Sequence, residues 1–179
     1  MSPVRLRPYT EAHAASLVEA ARESVAEVGR WLPWCHAGYQ LSEARDWIRG
    51  ERELFEKRTS FQFAIESDAG LFLGGCGLNQ LNPLHRFANL GYWIRSSLTG
   101  HGHASQAVRL LSAWAFENTE LVRLEIVAAV GNRASQRVAE KAGAVREGVL
   151  RDRLQIHGVW HDAAVFSITR EAPEGAGAA

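Results

Sequence analysis

Cysteine is scarce in this chain: two in 179 residues, Cys35 and Cys76. They form no CxxC pair and no zinc spacing, which excludes a disulfide framework and a zinc-ribbon site. Two buried or half-buried thiols are the expectation. An excess of one charge is lacking too. Twenty Lys and Arg balance twenty Asp and Glu, for a formal net charge of zero. That argues against a nucleic-acid partner, whose binders carry a basic excess. No apolar run approaches the ~18 residues of a membrane span. The first seven residues hold no apolar segment of the kind that marks a secretory leader. Neither a membrane nor a nucleic-acid partner is expected, and the cytoplasm is the default location. No internal repeat appears. What remains is the composition of an ordinary globular protein, 46% hydrophobic and 22% charged. One domain with a full core is expected over residues 1–170. Residues 171–179 are rich in Gly, Ala and Pro and read as a flexible tail.

Periodicity supplies the order of elements. Val4 to Arg7 alternates as a first strand, and Thr10 caps a helix whose apolar face runs from Ala14 to Val28, with Gly29 as its stop. Trp31-Leu32-Pro33-Trp34 is an aromatic turn that either plugs the core or lines an apolar mouth. Ser42 caps a second helix carrying Ala44, Trp47, Ile48, Leu54 and Phe55. Phe61, Phe63 and Ile65 alternate as a strand, and Asp68-Ala69-Gly70 turns it into a partner over residues 71–78. Gly74, Gly75 and Gly77 in that partner predict a bulge or a close backbone approach. Residues 79–86 are expected to form a loop. A strand over 88–94, a helix burying Ala104, Val108, Leu111, Trp114 and Ala115, and a strand over 121–130 covered on both faces come next. Asn132 caps a helix that ends at Gly143, and a hairpin turns at His157-Gly158. The order is β-α-α-β-β-β-α-β-α-β-β. Its strand–helix–strand unit predicts one parallel pair in an otherwise antiparallel sheet, with helices on both faces.

Gly100-His101-Gly102-His103-Ala104 sits between that strand and the next helix. Glycines let backbone N–H groups approach an anion, and a helix N-terminus supplies unpaired donors and a positive dipole end. A P-loop would need Gly-Lys-Ser/Thr, which is missing. A dinucleotide fingerprint would need a third glycine where Ser105 stands, and its acidic partner, Glu120, lies just past the helix. Thr99-Gly100-His101-Gly102-His103-Ala104 does resemble the acyl-CoA pyrophosphate loop of the GNAT acetyltransferases, with Thr99 where Gln or Arg is usual. Asn132-Arg133-Ala134-Ser135 through Lys141-Ala142-Gly143-Ala144 resembles a second segment of that family. Gly91-Tyr92-Trp93, Glu147-Gly148, Gly158-x-x-His161-Asp162 and Trp31-Leu32-Pro33-Trp34 resemble its branch named for ribosomal-protein N-terminal acetyltransferases. The likeness runs from Val4 to Ile168.

The resemblance implies a GNAT fold, an α/β mixed sheet with a central splayed parallel pair. It implies acetyl-CoA as acyl donor, no metal, and a primary amine as acceptor: a protein N-terminus, or a small amine such as an antibiotic or polyamine. It also allows a homodimer. A catalytically silent acyl-CoA-binding module is the rival from another class, motivated by Thr99 and by an alanine, Ala139, where many relatives place an acidic tyrosine. The resemblance further implies that backbone groups near Trp93 and Ile94 hold the pantetheine arm and that Thr99, Gly100, His101, Gly102, His103 and Ala104 form the pyrophosphate loop. Trp31 and Trp34 are the candidates for acceptor contact where the aromatic turn lines a mouth and does not plug the core. Asn132 reads as a helix N-cap, and the resemblance implies that its side chain also touches the arm. Ser135 is either a solvated helix serine or the group whose hydroxyl faces the sulfur, the expected acid. Glu125 is either a structural partner of an arginine or the base. His101 and His103 suggest a metal only if a third ligand joins them, and none is near in sequence.

Overall fold

The computed structural model describes residues 3–170. The tail expected at 171–179 lies outside the described residues. Seven strands form one sheet in the order β1-β2-β3-β4-β5-β7-β6. They are β1 (Val4–Pro8), β2 (Phe61–Ser67), β3 (Phe72–Asn82), β4 (Phe87–Ile94), β5 (Arg123–Ala129), β6 (Val145–Ile156) and β7 (Val159–Thr169). The helices are α1 (Ala14–Glu23), α2 (Leu41–Glu56), α3 (His103–Asn118) and α4 (Arg133–Ala142). The sequence order of elements is the one periodicity predicts.

Alternation along the strands builds two cores. Phe61, Phe63 and Ile65 of β2 join Leu73, Leu78, Leu90, Leu124 and Phe166 beneath Val108 and Leu111 of α3. Ala64 and Phe72 point the other way, against Leu17 and Ala21 of α1 and Ala44 and Ile48 of α2. Helices therefore cover both faces. A register shift between Ile65 and Glu66 lets Gly74 bulge, so that Gly75 and Gly77 lie on the α1/α2 face while Cys76 and Leu78 lie on the α3/α4 face.

Four local expectations are corrected. α1 stops at Glu23, not Gly29, because the buried hydroxyl of Ser24 accepts the N–H of Ser96 from across the fold (3.0 Å). Gln40, not Ser42, precedes α2, and its N–H is taken by Glu43 Oε2 (2.8 Å). β3 runs on to Asn82 through an irregularity at Gln80, whose φ is 51°, so the loop shrinks to residues 83–86. β5 is not covered on both faces: Leu124, Ile126 and Ala128 are buried, but Arg123, Glu125 and Val127 are half-open.

β4 and β5 are the parallel pair, and they pair briefly. Phe87, Ala88 and Asn89 face Arg123, Leu124 and Glu125. Beyond Asn89 the strands diverge: β4 stays on β3 as far as Ile94, while β5 follows β7 to Ala129. The sheet forks at its centre.

Candidate active site

The fork opens into a cavity of about 1180 Å³ that reaches both faces of the sheet. Arg95 N–H donates to Leu73 O (2.9 Å). In the alternating pattern of an antiparallel ladder, residues 91, 93 and 95 then turn their peptide groups to β3, and Leu90, Tyr92 and Ile94 turn theirs into the gap. With β5 gone, these groups are free to pair with an extended ligand, as an added strand would.

Past Ile94 the chain is strapped to α1. Arg95 is buried, donates to Glu19 Oε1 (2.7 Å) and Glu23 Oε1 (3.0 Å), and also bonds Glu23 Oε2. Ser97 Oγ donates to Glu23 (2.8 Å) and Ser96 Oγ to Glu27 (2.6 Å). Arg95 is the first cause of the depressed Glu23 carboxyl pKa, about 2 in place of 4.5. This strap aims the glycine turn. Gly100 and Gly102 have φ of 82° and 80°, a region that costs other residues about 1–2 kcal/mol. Gly102 leads directly into α3, so His103, Ala104 and Ser105 present N–H groups that have no acceptor within the helix.

Several observations fit a nucleotide-bearing thioester at this end. Gly100, Gly102, His103, Ala104 and Thr99 line the cavity, and so do Arg137 and Lys141 of α4. His103 Nδ1 is buried with no hydrogen-bond partner among the described residues. Burial, and then the charge of His101, hold the His103 pKa down, so the ring is neutral and free to present a donor there. His101 differs: its ring stacks on His103 outside the cavity lining. Among the described residues no three His, Cys, Asp or Glu groups gather as metal ligands.

At the centre of the fork, Asn132 Oδ1 accepts Ser135 N–H (3.1 Å) and starts α4. Ser135 meets a residue that spacing alone does not reveal. Tyr92 Oη donates to Ser135 O (2.8 Å) and lies 3.1 Å from Ser135 Oγ. Burial pushes the phenol up to about 12, against a smaller lowering by Ser135. Tyr92 shares the strand face of Leu90 and Ile94, toward α4. That alternation is the one sequence signal that could have found it.

The structure does not bring Glu125 to the site. Its carboxylate accepts from Arg123 Nε (2.8 Å), and Arg123 also holds both oxygens of Glu147, so Glu125 is drawn away from the cavity lining. The ion pair with an arginine is present, at Arg123. Trp93 is relocated as well. Its peptide faces β3, and its ring packs on Trp34 (5.2 Å) and Phe72 (6.0 Å), on the α1/α2 side. Ile94 keeps its backbone toward the gap. Trp31 and Trp34 both line the cavity mouth. Trp31 lies so close to Gly131 that an added Cβ would be 3.1 Å from its ring. His157 at the β6–β7 turn hydrogen-bonds Gly29 O (2.8 Å), fixing the segment that carries both tryptophans.

Comparison with known proteins agrees with this geometry. Residues 4–145 match the family model of the acetyltransferase (GNAT) domain. YdaF of Bacillus subtilis (strain 168), provisionally named a ribosomal N-acetyltransferase, is 32% identical over 96% of this chain and 94% of its own. The ribosomal-protein-serine acetyltransferase of Escherichia coli (strain K12) is 25% identical over 92% of this chain and 91% of its own. Mycobacterium smegmatis RimJ, solved with CoA-disulfide, superposes with a TM-score of 0.84 at 27% identity, covering 93% of this chain and 81% of RimJ. The family match covers most of the chain and the fold is that of a solved relative, and the chain belongs to the GNAT family of acetyl-CoA-dependent N-acetyltransferases.

Proposed function

We propose that this enzyme acetylates the α-amine at the N-terminus of a protein, of the ribosomal class on which its relatives are named. The observation that carries this reading is the through-going fork. The thioester end is basic and rich in N–H groups. At the opposite side Trp31 and Trp34 line the same cavity of about 1180 Å³, which supports an acceptor entering there as an extended chain end. Such an acceptor also puts the enzyme in the cytoplasm.

The chemistry divides among few groups. Peptide groups of Leu90, Tyr92 and Ile94 align the pantetheine arm, and an N–H in this row faces the oxyanion. Ser135 Oγ supplies a proton to the leaving thiolate. Tyr92 fixes Ser135 by its bond to the serine carbonyl and stands behind the hydroxyl as a second proton-bearing group. The pair supports a working enzyme over a silent binding module, because it fills the role that Ala139 leaves vacant. No strong base is needed: an α-amine has a pKa of about 7.7–8, so a sizeable fraction is neutral near pH 7.5, and its proton leaves through cavity water.

The test is acetyl transfer from acetyl-CoA to tetrapeptides with free N-termini and blocked C-termini, run beside butylamine and spermidine. Peptides acetylated at the α-amine, located by fragment mass spectrometry, support the reading. Turnover of the two amines with every peptide refused overturns it in favour of a small-amine enzyme.

A further inference from the structure

The α1/α2 face of the sheet carries a bare patch beside the fork. Gln62, Gly77 and Gly91 lie in one cross-strand row, through the pairs Gln62↔Gly77 and Gly77↔Gly91. The next row pairs Asn79 with Asn89, whose amides are bonded to each other (2.9 Å). A Cβ on Gly77 would fall 2.0 Å from Gln62 Oε1 and 2.6 Å from its Nε2. The carboxamide of Gln62 therefore occupies the space that a side chain at 77 would take. Above Gly91 there is nothing within 4 Å. That open space is bounded by Gln62, Asn89 and Trp93, all of which line the cavity.

The Gln62 amide has a determined orientation. Ser60 Oγ donates to Glu51 Oε2 (2.8 Å), with Leu78 O at 3.2 Å as the alternative acceptor. Carboxylate and carbonyl oxygens only accept, so the serine spends its one proton on them and offers Gln62 a lone pair. The Gln62 atom facing Ser60 must then be the N–H₂ group, and it is, at 3.3 Å. Oε1 is left as a hydrogen-bond acceptor over Gly77 with no donor from the described residues. Gly91 is one strand spacing further on, about 4.8 Å. It is two residues past the last β4–β5 pair and next to Tyr92.

We propose that Gln62 Oε1 accepts an N–H of the incoming amine in the space above Gly91 and so positions it for attack through the fork. Glu51 and Ser60 act at one remove, by holding the carboxamide in this orientation. Bareness at Gly77 lets the carboxamide extend toward β4, and bareness at Gly91 leaves room for the amine. The inference rests on the N-terminal acetylation reading and names the residues of this chain that receive the acceptor.

Two variants test it on the full chain, with a free-amine tetrapeptide as probe. Gly91→Ala adds a methyl that touches nothing, at a position with ordinary φ, so the fold and its melting temperature are retained. The methyl occupies the amine's place, and kcat/KM for the tetrapeptide falls tenfold to a hundredfold, as expected when a reacting group is misplaced by about 1 Å. Gln62→Leu keeps the bulk and removes the acceptor oxygen. It raises the tetrapeptide KM roughly tenfold, the scale of one hydrogen bond, while Kd for acetyl-CoA by calorimetry stays within twofold. A purely structural role for Gln62 would move melting temperature and both constants together. If the wild type acetylates the tetrapeptide and both variants do so with unchanged KM and kcat, the positioning role is overturned and the acceptor reading stands. If the wild type acetylates no peptide, the acceptor reading fails, and the positioning role falls with it.

Discussion

A buried phenol beside a serine hydroxyl keeps its proton over the whole working pH range. With its pKa pushed up to about 12, Tyr92 remains a donor to Ser135 O throughout the neutral range. Tyr92→Phe is expected to lower kcat roughly tenfold to a hundredfold and to leave Kd for CoA within threefold, because its effect falls on the departing thiolate and not on the bound donor. Ser135→Ala should cost a similar factor. If the two act as a unit, the double variant is little worse than either single one. Full additivity in a double-mutant cycle would separate them. Glu125 makes the opposite prediction. It is held by Arg123 outside the cavity, so Glu125→Gln should leave the pH–rate profile unchanged. The acid limb of that profile should follow the acceptor's own ammonium near pH 7.7–8. A limb displaced by the substitution would return Glu125 to the chemistry.

Among the elements, the glycine turn and its strap form the unit that we propose carries the donor's phosphates. Gly102→Val forces a β-branched residue to a φ of 80° and should abolish thermal protection by acetyl-CoA, which for wild type at a hundredfold Kd amounts to about 2.7 kcal/mol. Retained protection would move the phosphate site elsewhere. The turn was legible from its residues, and so was each strand and helix, because alternation and helical period are local properties of the chain. The helix ends were less so. Ser24 ends α1 because its hydroxyl answers Ser96, 72 positions away, and no local pattern records such a partner. The same holds at the fork. Ser135 is marked by its motif, but Tyr92 reaches it only through the stacking of β4 against α4. The Arg123–Glu125 pair is local to its strand, but the Glu147 that shares Arg123 lies 24 positions away. Gln62 gives no sign in sequence, since its reach depends on a glycine across the ladder.

At the scale of the whole molecule, acid is the expected weakness. Arg95 is the first cause of the low Glu23 pKa and Arg123 of the low Glu147 pKa, each about 2 in place of 4.5. A depressed carboxyl contributes stability that is complete above about pH 4.5 and disappears as pH falls toward 2. The Glu147 side chain is 39% exposed and that of Glu23 28%, so screening by water leaves the larger share with Glu23. Melting temperature should fall steadily below pH 4.5, and Arg95→Gln should flatten that fall more than Arg123→Gln. Equal slopes in all three proteins would remove the ion pairs as the cause.

The fork has a mechanical consequence. β1 to β4 come from residues 4–94 and β5 to β7 from residues 123–169, so the wedge divides the sheet into two sequence-continuous halves. Among the described residues three residue pairs join them along β4 and β5, Val122 N–H adds a bond to Arg86 O (2.8 Å), and α3 runs from one half to the other. On the proposed reading, a thioester seated in the fork would meet the β4 half at its peptide row and the β5 half at Asn132 and Ser135. Seated there it would serve as a rivet as well as a reactant, bridging a seam that β4 and β5 leave open beyond Asn89.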